Sequence, residues 1–209
     1  IEPNSGERNF IYSLHWALQS RSVLQAIFNR FNKKGSLRGL DIGGSSGFLT
    51  CELASMGHRI TNFELNSPRV EYMFPWLAET CEVSDLVNAK VKRMEDLKIN
   101  ILNRILRRGP FDFICFMGSL LLCEREKVAH VLQQAKTMLK KDGFIILREN
   151  LNHEKKVKNN NTFTFEELNA YLENTGENIL YYNHYGKELK STEVKNSWML
   201  YAVIQKGKK

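Results

Sequence analysis

The sequence predicts an open α/β fold, a mostly parallel sheet with helices packed on both faces, and three observations carry that expectation. The first is Leu40-Asp41-Ile42-Gly43-Gly44-Ser45-Ser46-Gly47, where an acidic residue leaves a short apolar run and a glycine-rich turn leads into a helix-like run. Glycine lacks a Cβ and tolerates left-handed dihedrals, so such a turn brings backbone amides at a helix N-terminus close to a ligand. The second is Arg59–Glu64, a strand-like run ending in a carboxylate about 20 residues beyond the turn, the spacing expected of a ribose ligand. The third is Phe111 to Met117, a continuous apolar run with one acid, as in a central parallel strand buried on both faces.

Length and composition fit one domain. The chain has 209 residues, 43% of them hydrophobic, which suffices for a sizeable core. Residues 1–36 read as an N-terminal helical cap and 37–209 as the main domain. No stretch reaches the roughly 18 apolar residues of a membrane span, and the N-terminus lacks a signal-peptide pattern, so no membrane partner is expected. The chain opens on Ile1 rather than methionine, so a missing upstream segment is one expectation. Cys51, Cys81, Cys115 and Cys123 show no C-x-x-C spacing. They read as reduced thiols of an intracellular protein, cytoplasmic or nuclear, with no metal site. The net charge of +7 is compatible with a nucleic acid, a basic scaffold or an acidic partner and selects none of them.

Taken in order, Phe10, Ile11, Leu14, Ala17 and Leu18, then Leu24, Ile27, Phe28 and Phe31, recur at helical spacing and predict one or two helices. A turn at Lys33–Ser36 precedes the first strand, Leu37 to Ile42. Ser46 is expected to cap a helix running to Met56, with Gly57 as its stop. Asn66-Ser67-Pro68 opens a helix to Ala78. A third strand is expected over Val87 to Met94, and a helix over Asp96 to Leu106 whose Arg104, Arg107 and Arg108 read as a solvated end. A helix spans Glu124 to Leu139 and a fifth strand ends at Arg148-Glu149-Asn150. His153 to Asn161 reads as a loop, and Thr164 with Glu167 as a capping box. Asn178 to Tyr185 and Ser197 to Gln205 read as an antiparallel pair around a polar loop at Gly186 to Asn196.

Spacing also addresses the ligand. A dinucleotide fingerprint requires G-x-G-x-x-G, but Ser45 and Phe48 stand at the second and third glycine positions. The segment resembles motif I of the class I S-adenosylmethionine-dependent methyltransferases, with Asp41, Gly43 and Gly47 in place and Ser45 at the middle glycine. Phe111-Asp112-Phe113 resembles their motif IV, and Leu139 to Leu147 their helix-turn-strand segment, with Lys141-Asp142 where proline and glycine are usual. The resemblance implies a Rossmann-like sheet of seven strands with a C-terminal antiparallel pair, and S-adenosylmethionine as cofactor. It places Asp41, Gly43, Gly44, Ser45 and Gly47 at the cofactor, Glu64 on the ribose, Arg93, Met94 and Glu95 around the adenine, and Met117 and Gly118 beside the sulfonium. Glu149 and Asn150, at a strand end, become the catalytic, acceptor-side candidates.

A narrower similarity, to the protein α-N-terminal methyltransferases, rests on the basic-acidic-asparagine strand end and the final strand around Trp198–Ala202; their histidine after motif IV aligns with Leu122. Tyr12, His15 and Trp16 are candidates for the acceptor pocket, as are Tyr181, Tyr182, His184 and Tyr185, although packing accounts for each more simply. The resemblance implies an activated methyl donor that the protein mainly aligns, with Glu149 or His153 as the base an ammonium acceptor would need. The motifs of the adenine, cytosine-C5 and ribose 2′-O enzymes are not recognisable. The expected function is methyl transfer to a nitrogen or oxygen of a protein or RNA-linked acceptor. The alternatives are a methyltransferase-like scaffold or regulatory subunit working with a protein partner, and a small-molecule methyltransferase.

Overall fold

The computed structural model describes residues 5–31, 33–96, 111–151, 162–175, 178–194 and 199–205, without the side chains of 5–13, 16, 191 and 192. Among these, eight strands form one sheet: β1 Arg38–Ile42, β2 Arg59–Glu64, β3 Val87–Val91, β4 Phe111–Met117, β5 Leu139–Asn150, β6 Asn178–Tyr182, β7 Glu188–Leu189 and β8 Met199–Gln205. Their order is β3-β2-β1-β4-β5-β8-β6-β7. The first five are parallel, and β8, β6 and β7 follow, each antiparallel to its neighbour. The described residues therefore hold eight strands rather than the seven expected. The extra one is the two-residue β7, inside the stretch read as a polar loop. Asn183 Oδ1 accepts the Tyr185 and Lys187 N–H groups at 3.0 Å each, ending β6 at Tyr182 and turning the chain back. One further helical turn, Ser191–Val194, also falls in that stretch.

Helices cover both faces. On one lie α1 (Ser5–Arg30) and α2 (Phe48–Ser55); Val23, Leu24, Ile27, Phe28, Leu49 and Leu53 pack there on Phe113, Phe144 and Tyr201. On the other lie α4 (Arg125–Thr137) and α5 (Phe165–Thr175), which bury Val128, Leu132, Leu168 and Leu172 against Ile114, Phe116, Ile145 and Leu147. The alternation of Phe144 and Ile146 with Ile145 and Leu147 between the two faces is the period-2 pattern of a strand buried on both sides. The N-terminal helix is single, and its C-terminal half belongs to this core. α3 (Phe74–Thr80) flanks α2, and α6 is the turn Ser191–Val194.

Several local expectations are met. Gly57, at φ 90°, stops α2 and donates to the Ala54 carbonyl at 2.8 Å. Asn66 Oδ1 accepts the Arg69 N–H at 3.1 Å and opens a π-helical turn, Arg69–Met73, that runs into α3. Thr164 Oγ1 caps α5 by accepting the Glu167 N–H at 3.1 Å. Others differ. Ser46 does not cap α2: Gly47 is the N-cap residue, and the Ser46 hydroxyl faces Met73 Sδ at 4.0 Å. β3 ends at Val91 and a 3₁₀ turn, Met94–Asp96, follows. The turn expected around Lys141-Asp142 is a bulge within β5, because the pairing jumps from Phe111 with Leu139 to Phe113 with Phe144. Asp112 organises it, accepting Lys140 Nζ on both oxygens at 2.9 Å and the Arg38 N–H at 3.0 Å. Residues 97–110, with nearly all of the helix expected over Asp96 to Leu106 and its Arg104, Arg107 and Arg108, lie outside the described residues, as do the His153 loop and Trp198.

Candidate active site

β1, β2, β3, β4 and β5 all end on one sheet edge, and an open cleft lies there beside the ends of β1, β4 and β5. Asp41, Gly43, Gly44 and Ser45 form its floor, Phe48 and Leu49 the start of α2, Met117 and Arg148 the ends of β4 and β5, and Ala17 and Ser20 its α1 wall.

The loop is built by packing as much as by dihedral freedom. Gly43 and Gly47 hold φ of 73° and 92°, and Ser45, at the middle glycine position, holds φ 55°. A left-handed non-glycine residue costs about 1–2 kcal/mol, and a hydrogen bond offsets that cost here: the Ser45 N–H donates to Glu64 Oε2 at 2.9 Å. The other Glu64 oxygen accepts the Asn66 N–H at 2.9 Å, with the Arg69 guanidinium 3.9 Å away. Glu64 therefore ties the glycine loop to the strand end that carries it. A Cβ at Gly43 would stand 2.5 Å from Ser119 Cβ, and one at Gly44 would stand 2.5 Å from both Asn62 Oδ1 and Asp41 Oδ2. These glycines let the loop lie on the protein beneath it.

Under Gly44 lies a buried polar pair. Asp41 and Asn62 are register partners on β1 and β2, 1% and 0% exposed. Asp41 Oδ2 accepts the Thr50 hydroxyl at 2.7 Å, whereas Oδ1 and both side-chain amide atoms of Asn62 have no hydrogen-bond partner among the described residues. Burial pushes the Asp41 carboxyl up to about 6, with the Glu64 charge adding to it and the Thr50 bond opposing it. A carboxylate with one orphaned oxygen at the floor of a cleft is ready for a cationic donor.

The remaining expected residues divide. Met117 lines the cleft, and Gly118, at φ 77°, donates to the Arg148 carbonyl at 2.7 Å. Arg93, Met94 and Glu95 share the strand-end edge, with Met94 packed on the core cluster that contains α4. They do not line the cleft, but the adjacent Lys92 N–H donates to the Glu64 carbonyl at 2.9 Å. Glu149 points to the face opposite Arg148, where its Oε1 accepts the Leu120 N–H at 3.1 Å, and Asn150 is exposed at the strand end. His15 is exposed and paired with Gln19 Nε2 at 2.7 Å. The Tyr12 and Trp16 side chains are outside the described residues, as is His153. Tyr181 and Tyr182 are buried in the core, and His184 and Tyr185 sit on the β6–β7 turn.

Sequence reasoning missed Ser20, Asn62, Thr50 and the role of Arg148. The Arg148 guanidinium, 7% exposed, approaches Met199 Sδ at 3.2 Å and hydrogen-bonds the Tyr201 phenol, whose oxygen is 3.0 Å from Ser20 Oγ. Only the pairing of β5 with β8, which sets Arg148 opposite Tyr201, creates this chain.

A parallel sheet extended by antiparallel C-terminal strands, a glycine loop after β1 and an acid ending β2 define the class I S-adenosylmethionine-dependent methyltransferase fold. The methyltransferase-domain family matches residues 15–187, and the chain belongs to it, with S-adenosylmethionine as its cofactor. No curated protein matches the chain. Among solved structures it is similar to an S-adenosylmethionine-dependent methyltransferase from Clostridium acetobutylicum ATCC 824 (12% identity, 90% of this chain and 91% of that one, TM-score 0.69). It is also similar to the CcbJ methyltransferase from Streptomyces caelestis (12%, 90% and 89%, 0.70) and to magnesium protoporphyrin IX methyltransferase from Synechocystis PCC 6803 with bound SAM (14%, 98% and 86%, 0.64). Among the described residues no helix is long and apolar enough to cross a membrane.

Proposed function

We propose that the cleft binds S-adenosylmethionine over the Gly43–Gly47 loop and that the protein transfers its methyl group to a nitrogen or oxygen of a small acceptor. The observation that carries this is the Glu64 carboxylate, fixed against the Ser45 N–H at the edge of the loop, with lone pairs left to accept ribose hydroxyls. When bound, the cofactor supplies a methyl group on an electrophilic sulfonium. The chain's own residues do the rest. Asp41 Oδ1 receives the cofactor's ammonium, Gly43 to Gly47 present the loop backbone, Arg93, Met94 and Glu95 serve the adenine end, and Met117 with Gly118 borders the reacting centre. Asn150, on the Arg148 face, serves the acceptor, while Glu149 holds the Leu120 turn from the other face.

A small acceptor is favoured by the α1 wall of Ala17 and Ser20 and by a relative named for magnesium protoporphyrin IX. A protein or RNA-linked acceptor rests on the net charge of +7 alone. A second reading, a cofactor-binding scaffold, is favoured by Ser45 held at φ 55°. Turnover of any acceptor by the purified protein would discard it.

The test is calorimetric titration with S-adenosylhomocysteine. Wild type is expected to bind, and Glu64→Ala to bind at least about tenfold more weakly, a loss of roughly 1.4 kcal/mol. Equal binding by both would retract the ribose assignment, and no binding by wild type would retract the cofactor site. The Asp41 contact adds a pH signature. Its carboxyl, at about 6, must ionise to pair with an ammonium, so affinity should rise from pH 5 to pH 7 and then level. Asp41→Asn should bind more weakly and with a flat profile over that range; a slope unchanged in the variant would assign the titration to another group.

A further inference from the structure

We infer that Asn62 is the positioning residue that sets the charge of Asp41, its side-chain amide serving the carboxyl in both protonation states. This rests on the reading above in which Asp41 receives the cofactor's ammonium, and it names the group that readies that carboxyl. Asn62 stands in the middle of β2, two residues from Ile60 and so on the face that packs against α1 and α2. At 0% exposure such a strand position ordinarily holds an apolar side chain. The cleft lining includes Asp41 but not Asn62, so any effect of the amide on a ligand passes through another group.

Geometry identifies that group. Asp41 on β1 has Asn62 as its register partner on one side and Cys115 of β4 on the other. A Cβ built on Gly44 would stand 2.5 Å from Asn62 Oδ1 and 2.5 Å from Asp41 Oδ2, so the two oxygens lie within twice that distance of each other, roofed by the glycine loop. Asp41 Oδ1 and both side-chain amide atoms of Asn62 lack a hydrogen-bond partner among the described residues, and such atoms are costly to bury. A carboxyl needs an acceptor for its proton when neutral and donors when ionised. A side-chain amide holds one of each, and a half-turn about its Cβ–Cγ bond exchanges them.

The other groups around Asp41 cannot do both. The Thr50 hydroxyl already donates to Oδ2 at 2.7 Å. Glu64 adds a like charge from the end of β2, with its own oxygens held by the Ser45 and Asn66 N–H groups. Burial pushes the Cys115 thiol well up and that of Cys51, on α2, up to about 12, so both stay neutral while Asp41 titrates. Arg148 borders the same cleft from the end of β5 and stays cationic over that range.

The test is Asn62→Leu, which keeps the bulk and removes the amide. Titration with S-adenosylhomocysteine from pH 5 to pH 8 should show affinity rising with a midpoint at least about one pH unit above that of wild type, because the ionised carboxyl has lost its donor. With the wild-type carboxyl at about 6, binding should be about fivefold weaker than wild type at pH 6 and within about twofold of it at pH 8. A merely structural role predicts an equal loss at every pH, and that result overturns the assignment, as does an unchanged profile.

The free protein supplies an independent readout. In wild type, followed by NMR, the Asp41 carboxyl carbon and the Asn62 side-chain amide nitrogen should shift with one common midpoint, and the Asp41 midpoint should rise in Asn62→Leu. An amide that does not follow the carboxyl in wild type overturns the assignment, whether or not the variant folds. Wild type that binds no S-adenosylhomocysteine, yet shows the common midpoint, refutes the cofactor reading and upholds the pairing.

Discussion

Gly47→Ala is expected to lower the melting temperature by roughly 10 °C and to abolish measurable cofactor binding. Two penalties combine at this residue. Its φ of 92° is left-handed, which costs an alanine about 1–2 kcal/mol. Its new methyl group would stand 2.4 Å from Phe74 Cδ2 and 2.7 Å from Cε2, inside the ring's own volume. Phe74 is buried at 4% exposure, where α3 packs on α2, so the clash forces the loop or the helix to move, at a further cost of about 1–3 kcal/mol. At roughly 2–4 °C per kcal/mol for a chain of this size, the sum is on the order of 10 °C. Gly57→Ala is the internal control. Gly57 has a φ of 90°, but a Cβ there meets nothing within 4 Å, so only the dihedral penalty applies and the loss should be less than half as large. Equal losses for the two variants would mean that the Phe74 contact is absent and that the glycine serves backbone geometry alone.

The same comparison shows what a sequence can carry. Gly57, Asn66 and Thr164 act on residues three or four positions away, and their roles as stop and caps were readable because the hydrogen bonds are local. The glycine loop and Glu64 were readable because a fixed spacing places a β2 end beside a β1 end in a parallel pair. What the spacing could not convey is why the glycines are needed: Gly43 and Gly47 make room for Ser119 and Phe74, residues far along the chain. Ser46 was misread as a cap for a related reason. Its neighbour Gly47 takes the left-handed N-cap geometry, and this leaves the hydroxyl facing Met73. The Arg148–Tyr201–Ser20 chain was invisible because it needs the β5–β8 register and the seat of α1 together. Asp112 likewise reads as a stray acid in an apolar strand, until the fold brings Lys140 and the Arg38 N–H to it.

Glu149 supplies the second large effect, one that separates its structural behaviour from a catalytic one. The side chain is 1% exposed; Oε1 accepts the Leu120 N–H and Oε2 has no hydrogen-bond partner among the described residues. Burial pushes its carboxyl up to about 8, against the opposing pull of the Leu120 N–H and of the Arg148 and Arg125 charges. A carboxyl whose folded value lies above its ordinary 4.5 stabilises the fold in its protonated form. That stability is complete below about 4.5 and is lost as the pH rises towards 8.

Glu149→Gln keeps an oxygen for the Leu120 N–H and removes the proton equilibrium. The variant should therefore match wild type near pH 4.5, gain on it steadily to pH 8 and hold a constant lead above, on the order of 3–5 kcal/mol. Chemical denaturation at pH 5, 7 and 9 reads this directly. A variant that loses stability at pH 9 would show the opposite arrangement, a carboxylate ionised and paired with Arg125. In that case Glu149 would be charged at neutral pH and available as a base. The expected outcome instead leaves it protonated at neutral pH, holding the turn after β4 from beneath. Proton removal from an acceptor would then fall to groups on the Arg148 side of β5.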